Sequence, residues 1–432
     1  MNIIFVVIVL GAFLFAGWQQ IFFSIDAGDP APMELLSRAM VDSAGGAVEL
    51  AIGLVGVMAL FLGLMKVAEA GGMLNIIARL IRPLMVRLFP DVPPDHPAMG
   101  AMILNLAANA LGLGNAATPF GIRAMQELDK LNPKHGTATD SMALFLAINT
   151  SSVTLLPTGV IALRAAAGSS DPAAILPTTL FATIGSTAVA IMASKLYQRF
   201  APLKANAVNT VQPDTSDDRK EAPPLEGTSE GYPFWVSLVA LLALAALIPV
   251  AVVFGQSLSP WILPLLMVGF LVFGMIRGVR IYEAFIEGAK DGFQVALRII
   301  PYLVAILVAV GMLRASGALE AGVSVLGSIT GSFGLPAEAL PMALMRPLSG
   351  SGAYGILASI INDPTIGPDS YTGYLVSTLQ GSTETTFYVM AVYFGAVQVR
   401  RIRHALAAGL TADAAGIIFA IMACSFNYVP TL

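Results

Sequence analysis

Charged residues are scarce in this chain, and their scarcity indicates the class of protein. Only 12% of the 432 residues are Asp, Glu, Lys or Arg, whereas 56% are hydrophobic. A typical soluble protein has about a quarter of its residues charged, and no soluble core needs this much apolar surface. The mean hydropathy is +0.78. Lipid is therefore the predicted solvent, and the first expected partner, of most of the chain.

Cysteine and histidine are also scarce. One cysteine, Cys424, excludes a disulfide framework and a thiolate metal cage. The three histidines are far apart in the sequence, so no metal site is predicted. No basic stripe suggests a nucleic-acid partner, and no nucleophile, phosphate-loop or dinucleotide motif occurs in a supporting context. We therefore expect neither an enzyme nor a bound cofactor.

Long apolar runs divide the chain into predicted membrane helices. About 20 apolar residues are needed to cross the hydrocarbon core as a helix. Runs of this kind lie at 2–24, 45–66, 140–163, 173–197, 233–255, 259–277, 293–314, 371–397 and 405–428. The predicted fold class is an all-α polytopic membrane protein with about nine full spans.

Two further apolar stretches, 96–122 and 336–361, are interrupted by glycine, proline and polar residues. Continuous membrane helices rarely contain such a mixture. Irregular backbone at membrane depth persists only where protein or a water-filled cavity covers it. Both stretches are therefore predicted to be re-entrant hairpins.

The Lys and Arg residues predict the orientation of the chain. With the N-terminus in the cytoplasm, most of the 23 basic residues fall on the cytoplasmic side, where such residues are in excess. Nine spans then leave the C-terminus on the extracytoplasmic side. The expected location is the cell inner membrane, which the chain crosses many times.

The chain divides into two like halves around a polar linker. Residues 201–232 are rich in proline and acidic residues, a composition typical of a flexible segment, and are expected in the cytoplasm. Residues 1–200 and 258–432 present the same order of parts, and 233–257 is an extra connecting transmembrane helix. One extra crossing reverses the second half relative to the first. The sequence thus predicts two inverted-topology repeats, which are common in secondary transporters.

Polar side chains within the predicted spans and hairpins mark a candidate substrate site. A charged side chain at mid-membrane costs at least about 2.5–3.5 kcal/mol, so it should face the protein interior. The alternative for the asparagines is hydrogen bonding between helices, and for the hydroxyls it is bonding within their own helix. The expected lining of the site is Asn105, Asn109, Asn115, Asn149, Thr150, Ser151, Arg346, Ser349, Ser351, Gln380, Ser382, Thr383 and Glu384.

Arg346 and Glu384 carry the charges of that set. A guanidinium stays charged, so an anion is expected near Arg346. Glu384 is the candidate partner, and an anionic substrate is the alternative. Glu384 itself is interpreted as a ligand for substrate, proton or cation, or else as a carboxyl that locks the packing.

Longer motifs resemble a known family. Gly112-Leu-Gly-Asn-Ala-Ala-Thr-Pro-Phe120 resembles the spore maturation protein A family. Met345-Arg-Pro-Leu-Ser-Gly-Ser-Gly352 and Gln380-Gly-Ser-Thr-Glu-Thr-Thr-Phe-Tyr388 resemble the spore maturation protein B family, so the chain looks like a fusion of the two. The resemblance implies the nucleoside recognition, or Gate, domain. This domain is shared with concentrative nucleoside transporters and with the membrane part of ferrous iron transporters.

Together these observations lead us to expect a secondary transporter that works by alternating access. Its solute would be small and polar: nucleoside-like, amino-acid or dipeptide-like, or a carboxylate, with H⁺ or another cation coupled at Glu384. One rival is a non-transporting scaffold in envelope or spore maturation, which would pack its polar groups dry. Another is a metal-ion permease, which the shortage of soft ligands disfavours. A homo-oligomer is compatible with either class.

Overall fold

The computed structural model describes residues 2–22, 30–112, 114–201, 231–318, 321 and 330–427. Within these ranges the chain forms fifteen α-helices and two short 3₁₀ turns, and no strand. The helices are α1 (Asn2–Phe22), α2 (Pro32–Ala70), α3 (Met73–Leu88), α4 (Pro97–Ala110), α5 (Gly114–Lys130), α6 (Asp140–Thr150), α7 (Thr158–Ala166), α8 (Leu176–Tyr197), α9 (Phe234–Ile276), α10 (Ile281–Ala315), α11 (Leu340–Met345), α12 (Gly350–Ile361), α13 (Tyr371–Ser382), α14 (Thr386–Ala396) and α15 (Ala405–Asn427). The predicted linker at 201–232 lies almost wholly outside the described residues.

Several helices are apolar and long enough to cross a bilayer. Among the described residues, α1, α2, α8 and α15 satisfy both conditions, and shorter apolar helices lie within α9, α10 and α12. Local signals start many of these helices. Proline occupies the first helical position of α2 and α4, and the hydroxyls of Thr139 and Ser370 cap α6 and α13. The chain is an all-helical membrane protein, as predicted.

Two predicted spans are not continuous helices, and the prediction was wrong on this point. The span 140–163 consists of α6, a non-helical segment at 151–157, and α7. The span 371–397 consists of α13, a non-helical segment at 383–385, and α14. Each break falls on a run of Ser and Thr residues, whose hydroxyls compete with the helical ladder for backbone carbonyls. The apolar runs are long enough to cross a membrane, but the polar residues divide them.

Helix α9 is longer than predicted, because it joins two predicted spans into one helix. We predicted a separate connecting helix at 233–257, followed by another span at 259–277. The structure has one helix of 43 residues, Phe234–Ile276, about 65 Å long. Gln256 and Ser257 are too few polar residues to end it. The helices therefore do not reproduce the predicted count of nine spans.

The two predicted hairpins are helix pairs. Helices α4 and α5 are joined by a short connection around residue 112, and α11 and α12 are joined by residues 346–349. We call these connections the first tip and the second tip.

Helices α2 and α10, which occupy matching places in the two halves, pack antiparallel. Gly311 lies against Ser43 in the first part of α2, and Gly288 lies against Leu62 near its end. A side chain on either glycine would collide with these neighbours. Glycine therefore permits the close approach of the two backbones.

Helices α8 and α15, which also match in order, are a second antiparallel pair. The Tyr197 hydroxyl lies 3.0 Å from the Thr411 hydroxyl. Towards the other end of α8, Gly185 packs against the ring of Phe419. Between these contacts the hydroxyl of Ser186 donates to the Ala412 carbonyl at 2.9 Å.

Two hydrophobic clusters take helices from both halves. The cluster around the first hairpin contains α4, α5 and α6 together with α14. The cluster around the second hairpin contains α11, α12 and α13 together with α7. Each broken helix therefore begins beside the hairpin of its own half and continues beside the hairpin of the other.

Candidate functional site

Each break is hydrogen-bonded to the hairpin of its own half. Within the first break, the Leu155 N–H donates to the Ala110 carbonyl at the end of α4 (2.9 Å). After the second break, the Phe387 N–H donates to the Pro347 carbonyl in the second tip (3.1 Å). The two halves thus use the same kind of contact to hold a broken helix on a hairpin tip.

The two breaks also touch each other. The Glu384 N–H donates to the Thr150 carbonyl at 2.9 Å. Eight helix ends therefore meet at the centre of the molecule. They are the carboxyl ends of α4, α6, α11 and α13 and the amino ends of α5, α7, α12 and α14. Helix amino ends carry free N–H groups and a partial positive charge. This centre can bind polar groups although apolar helices surround it.

Glycine is required at the first tip. Gly112 has a φ of +75°, which a residue with a side chain rarely adopts, and a Cβ there would collide with the Leu156 carbonyl. The predicted site residue Asn115 lies on α5, but its side chain is outside the described residues.

Asn109 and Asn149 form a pair between the first hairpin and the first break. The Asn109 amide donates to Asn149 Oδ1 at 2.9 Å, and the Asn149 amide donates to the Phe145 carbonyl at 2.9 Å. Asn149 is buried and Asn109 is half-buried. The structure thus brings these two predicted residues together, with Asn109 on the accessible side.

Asn105 lies deeper in the same hairpin. Its amide nitrogen donates to the Ala117 carbonyl (2.8 Å) and to the Tyr393 hydroxyl of the other half (3.0 Å). Its Oδ1 atom is buried and has no hydrogen-bond partner among the described residues. A buried acceptor without a partner is costly, so this atom is suited to a water or a ligand donor.

The hydroxyls of the first break bond to the end of their own helix. Thr150 and Ser151 both donate to the Ala147 carbonyl, at 2.9 and 3.0 Å. Thr187 of α8 donates to the Ser151 carbonyl. These side chains satisfy carbonyls that the break leaves without a helical partner. Their position supports the structural alternative for these two predicted site residues.

At the second break, the Arg346 side chain satisfies the carbonyls that lack a helical partner. Its Nε donates to the Gln380 carbonyl at 3.0 Å, one Nη donates to the Thr385 hydroxyl at 3.0 Å, and the other donates to the Thr383 carbonyl. The residue is buried. Its guanidinium is therefore directed at the carboxyl end of α13, where a positive charge is favourable.

Glu384 is the most accessible charged residue at the centre. Its carboxylate lies 3.7 Å from the Arg346 guanidinium, and the side chain is 49% exposed. The predicted proximity of these two residues is present in the structure. Since two carbonyls and the Thr385 hydroxyl also accept from Arg346, Glu384 keeps oxygen atoms available for another partner.

The remaining predicted residues surround the second tip and break. The Ser349 hydroxyl caps α12 by accepting from the Gly352 N–H (3.0 Å), and Ser351, two residues after Ser349, is half-buried. The Ser382 hydroxyl donates to the Leu379 carbonyl at 3.0 Å. Gln380, Ser382 and Thr383 are buried.

A second carboxyl lies behind Arg346. Asp413 of α15 is buried and accepts from the Thr386 hydroxyl at 2.7 Å, while its Oδ1 has no partner among the described residues. A void of about 10 Å³ lies between Asp413 and Arg346. This is about the space that one water molecule needs, so this void is too small for a larger solute.

Besides Asp413, three further residues at this centre were not among the predicted site residues. Tyr393 bonds to Asn105, Thr385 bonds to Arg346, and Thr386 bonds to Asp413. Thr385 and Thr386 belong to the polar run that marked the second break, so their residue type was a usable signal. Tyr393 had none, because it approaches the first hairpin only through the crossing of the helices. No cluster of metal-ligating side chains occurs in the part of the chain that the structure describes.

Ion pairs join the halves at the outer ends of the broken helices. Arg164, at the end of α7, lies 2.9 Å from Asp369, which precedes α13. Arg403, which follows α14, lies 2.8 Å from Asp140 at the start of α6. Burial raises the pKa of the Asp369 carboxyl, but hydrogen bonds from Ser169 and Ser170 and the charge of Arg164 outweigh burial and leave the pKa below its ordinary value. This carboxyl is therefore ionised at neutral pH.

Comparisons with known proteins match the region that forms this centre. The family model described as nucleoside recognition, or Gate, matches residues 51–167 and 296–400, which contain both hairpins and both broken helices. Spore maturation protein A of Bacillus subtilis (strain 168) is 47% identical over 162 residues, which are 38% of this chain and 83% of that protein. Spore maturation protein B of the same strain is 45% identical over 165 residues, 38% of this chain and 92% of that protein. No solved structure matches the chain.

Proposed function

The chain belongs to the Gate family of nucleoside recognition proteins, and from this premise we propose that it is a secondary transporter of a small polar solute in the cell inner membrane. One observation carries the proposal: the hairpin tips and the helix breaks of both halves meet at the centre of an apolar protein. Breaking two helices leaves backbone groups without helical partners, which is expensive in lipid. A transporter has a use for such groups, because they can bind a polar solute at mid-membrane.

The same proposal includes two inverted repeats with re-entrant hairpins. The antiparallel packing of α2 on α10 and of α8 on α15 supports it, since matching helices of inverted halves must run in opposite directions. The ion pairs Arg164–Asp369 and Arg403–Asp140 would then lie on opposite sides of the membrane. With the N-terminus in the cytoplasm, the Arg403 pair is cytoplasmic and the Arg164 pair extracytoplasmic.

The chemistry of the centre favours a neutral, nucleoside-like solute over a carboxylate. Arg346 donates to two carbonyls and one hydroxyl of its own chain and lies beside Glu384, so few of its donors remain for an anion. Asn109 and Glu384 are among the accessible polar side chains of the centre, and the amino end of α12, capped by Ser349, lies beside the second break. Together they offer an amide, a carboxylate and backbone N–H groups. These groups suit the hydroxyls and base edges of a nucleoside, and Glu384 is the coupling group for H⁺ or a cation.

Alternating access then requires the hairpins to separate, because the void at Arg346 is only about 10 Å³. A scaffold has no need of such motion and would pair its buried polar atoms. Asn105 Oδ1 and Asp413 Oδ1 are buried without a partner among the described residues. These two acceptors favour the transporter over the scaffold.

Binding and uptake test the proposed solute. Purified protein would be screened by thermal shift against nucleosides, dipeptides, amino acids and dicarboxylates, and hits would be measured as uptake into proteoliposomes with and without a pH gradient. We expect a nucleoside to stabilise the wild type, and both Asn109→Ala and Glu384→Gln to lose this effect. Glu283→Gln, an exposed carboxylate at the start of α10, is the control and should behave as wild type. The proposal fails if no solute distinguishes the wild type from the two site variants.

Cysteine labelling tests the inverted topology independently. Cys424 would be replaced by serine, and single cysteines placed at the exposed residues Pro133 and Pro364, which lie before α6 and α13. In intact cells a membrane-impermeant maleimide should label position 364 only, and position 133 should react after permeabilisation. Labelling of both positions from the same side would contradict the inverted arrangement.

A further inference from the structure

A second cavity lies away from the central site, at the other ends of α7 and α12. Its volume is about 520 Å³, and α2, α7, α10 and α12 all contribute to its wall. Helices α7 and α12 have their amino ends at the central site and their carboxyl ends here. With nine and twelve residues, they separate the two places by roughly 13–18 Å. A cavity of this size is typical of sites for small molecules.

Helix α2 presents an open face to this cavity. Gly46, Glu49 and Gly53 line it at spacings of three and four residues, which place them on one side of a helix. A Cβ on Gly46 or Gly53 would have no atom within 4 Å. The glycines therefore leave room in the cavity, and Glu49 stands between them.

The charges around the cavity do not balance. The Glu49 carboxylate has no hydrogen bond or ion pair with any described residue. Arg314 also lines the cavity, but it is paired with Asp363 at 2.8 Å, so this pair contributes no net charge. The carboxyl ends of α7 and α12, at Ala166 and in the last turn of α12, add partial negative charge. The described residues around the cavity therefore carry a net negative charge.

We propose that this cavity binds a small organic cation, with its ammonium group paired to Glu49. Asn362 offers a further acceptor, because its amide nitrogen already donates to the Ala358 carbonyl (2.8 Å) and its Oδ1 remains available. A metal ion does not fit: divalent cations such as Ca²⁺ need six to eight oxygen ligands close together, and the described residues contain no such cluster. The ammonium group can belong to a free amine or to an aminophospholipid headgroup. The site does not depend on the solute proposed for the central site.

The binding test uses ethanolamine and n-butylamine as probes for purified protein in an amine-free detergent buffer. Dissociation constants would be measured by calorimetry. Thermal stability with each probe would be compared with thermal stability in sodium chloride at the same ionic strength. Sodium butyrate is the anionic control. We expect both amines, but not butyrate, to bind and stabilise the wild type. Glu49→Gln should weaken binding at least about tenfold, since it removes a charge-assisted contact.

Two glycine variants separate filling of the cavity from general damage. Gly46→Leu places a side chain in the cavity and should abolish binding. Gly45→Leu, one residue earlier, does not line the cavity and has equally open surroundings, so it should bind as wild type. The central-site variant Asn109→Ala should also bind as wild type. Equal binding by Gly45→Leu and Gly46→Leu, unchanged affinity in Glu49→Gln, or no amine binding to the wild type would each overturn the proposal.

Nanodiscs identify the source of the cation. If the natural occupant is an aminophospholipid headgroup, the wild type should be thermally more stable in phosphatidylethanolamine discs than in phosphatidylglycerol discs. This difference between the two lipids should be smaller for Glu49→Gln. Soluble amine should then add stability only in phosphatidylglycerol. If the occupant is a free amine, the probes should bind equally well in both kinds of disc. The first outcome supports the site if Glu49→Gln removes the difference between the discs, and the second supports it if Glu49→Gln weakens binding of the probes in both.

Discussion

The backbone N–H of Glu384 donates to the backbone carbonyl of Thr150 at 2.9 Å, and this bond joins the breaks of the two halves. Both atoms are ones that a continuous helix would use internally, so the contact exists only because both helices are broken. It places the backbone of Glu384 against Thr150, which follows Asn149 of the asparagine pair in the sequence. Changes in one half can therefore reach the polar groups of the other through a single backbone contact.

Thr385→Val should destabilise the protein by about 1–3 kcal/mol, because one Arg346 Nη would lose its acceptor in a buried position. The measurement is denaturant unfolding in detergent. Thr383→Val is the matched control, since Arg346 binds the Thr383 backbone carbonyl and not its side chain. If both variants lose the same stability, the Thr385 hydroxyl has no specific role.

Gly112→Ala should destabilise the first tip more than glycine replacement at an ordinary turn. A positive φ alone costs roughly 1–2 kcal/mol for a residue with a Cβ. Gly136→Ala tests that cost, because its φ is +78° and nothing lies within 4 Å of a Cβ there. At Gly112 the Cβ would also collide with the Leu156 carbonyl. We expect Gly112→Ala to lose at least about 1 kcal/mol more than Gly136→Ala, and equal losses would argue against close packing at the tip.

Asp369→Ala should cost about 3–5 kcal/mol, because Arg164 is only 1% exposed and would keep its charge without an anion. Thermal and chemical unfolding of the purified protein would measure the loss. Glu34→Ala serves as the comparison, since it removes the partner of Arg38 in an ion pair whose side chains are 65% and 50% exposed. Such a pair is worth about 1 kcal/mol or less. Arg164 also donates to the Pro368 and Asp171 carbonyls, and a small loss in Asp369→Ala would mean that these uncharged partners satisfy it.

His404 should make the protein less stable in mild acid. Burial, together with the nearby charge of Arg403, lowers the pKa of this imidazole below its ordinary value of 6.5, although Asp140 opposes the shift. The unfolded chain then takes up a proton more readily than the folded chain, so stability falls as the pH drops below about 6.5. His404→Gln should lose less stability than the wild type between about pH 7 and 5. The control, His135→Gln at an exposed position, should keep the wild-type dependence.

The candidate site could be predicted in part because its residues are costly in lipid. Arg346 and Glu384 were expected near each other on that ground, and they lie 3.7 Å apart. What Arg346 binds could not be predicted, because its main acceptors are backbone carbonyls at the end of α13. These carbonyls are free only where the helix breaks. The prediction treated that stretch as one span.

The sequence by itself determined that lipid surrounds the protein and that its fold is all-helical. It also determined the two hairpins and the polar runs that mark the centre. These are consequences of composition and local pattern: apolar length selects a membrane helix, and glycine, proline and hydroxyl residues interrupt it. The tertiary structure decided which half each broken helix packs against, which carbonyls Arg346 holds, and that a cavity opens beside Glu49. These features depend on contacts between residues far apart in the chain. The hydropathy of a residue indicates whether it is buried, but it does not indicate which residues it contacts.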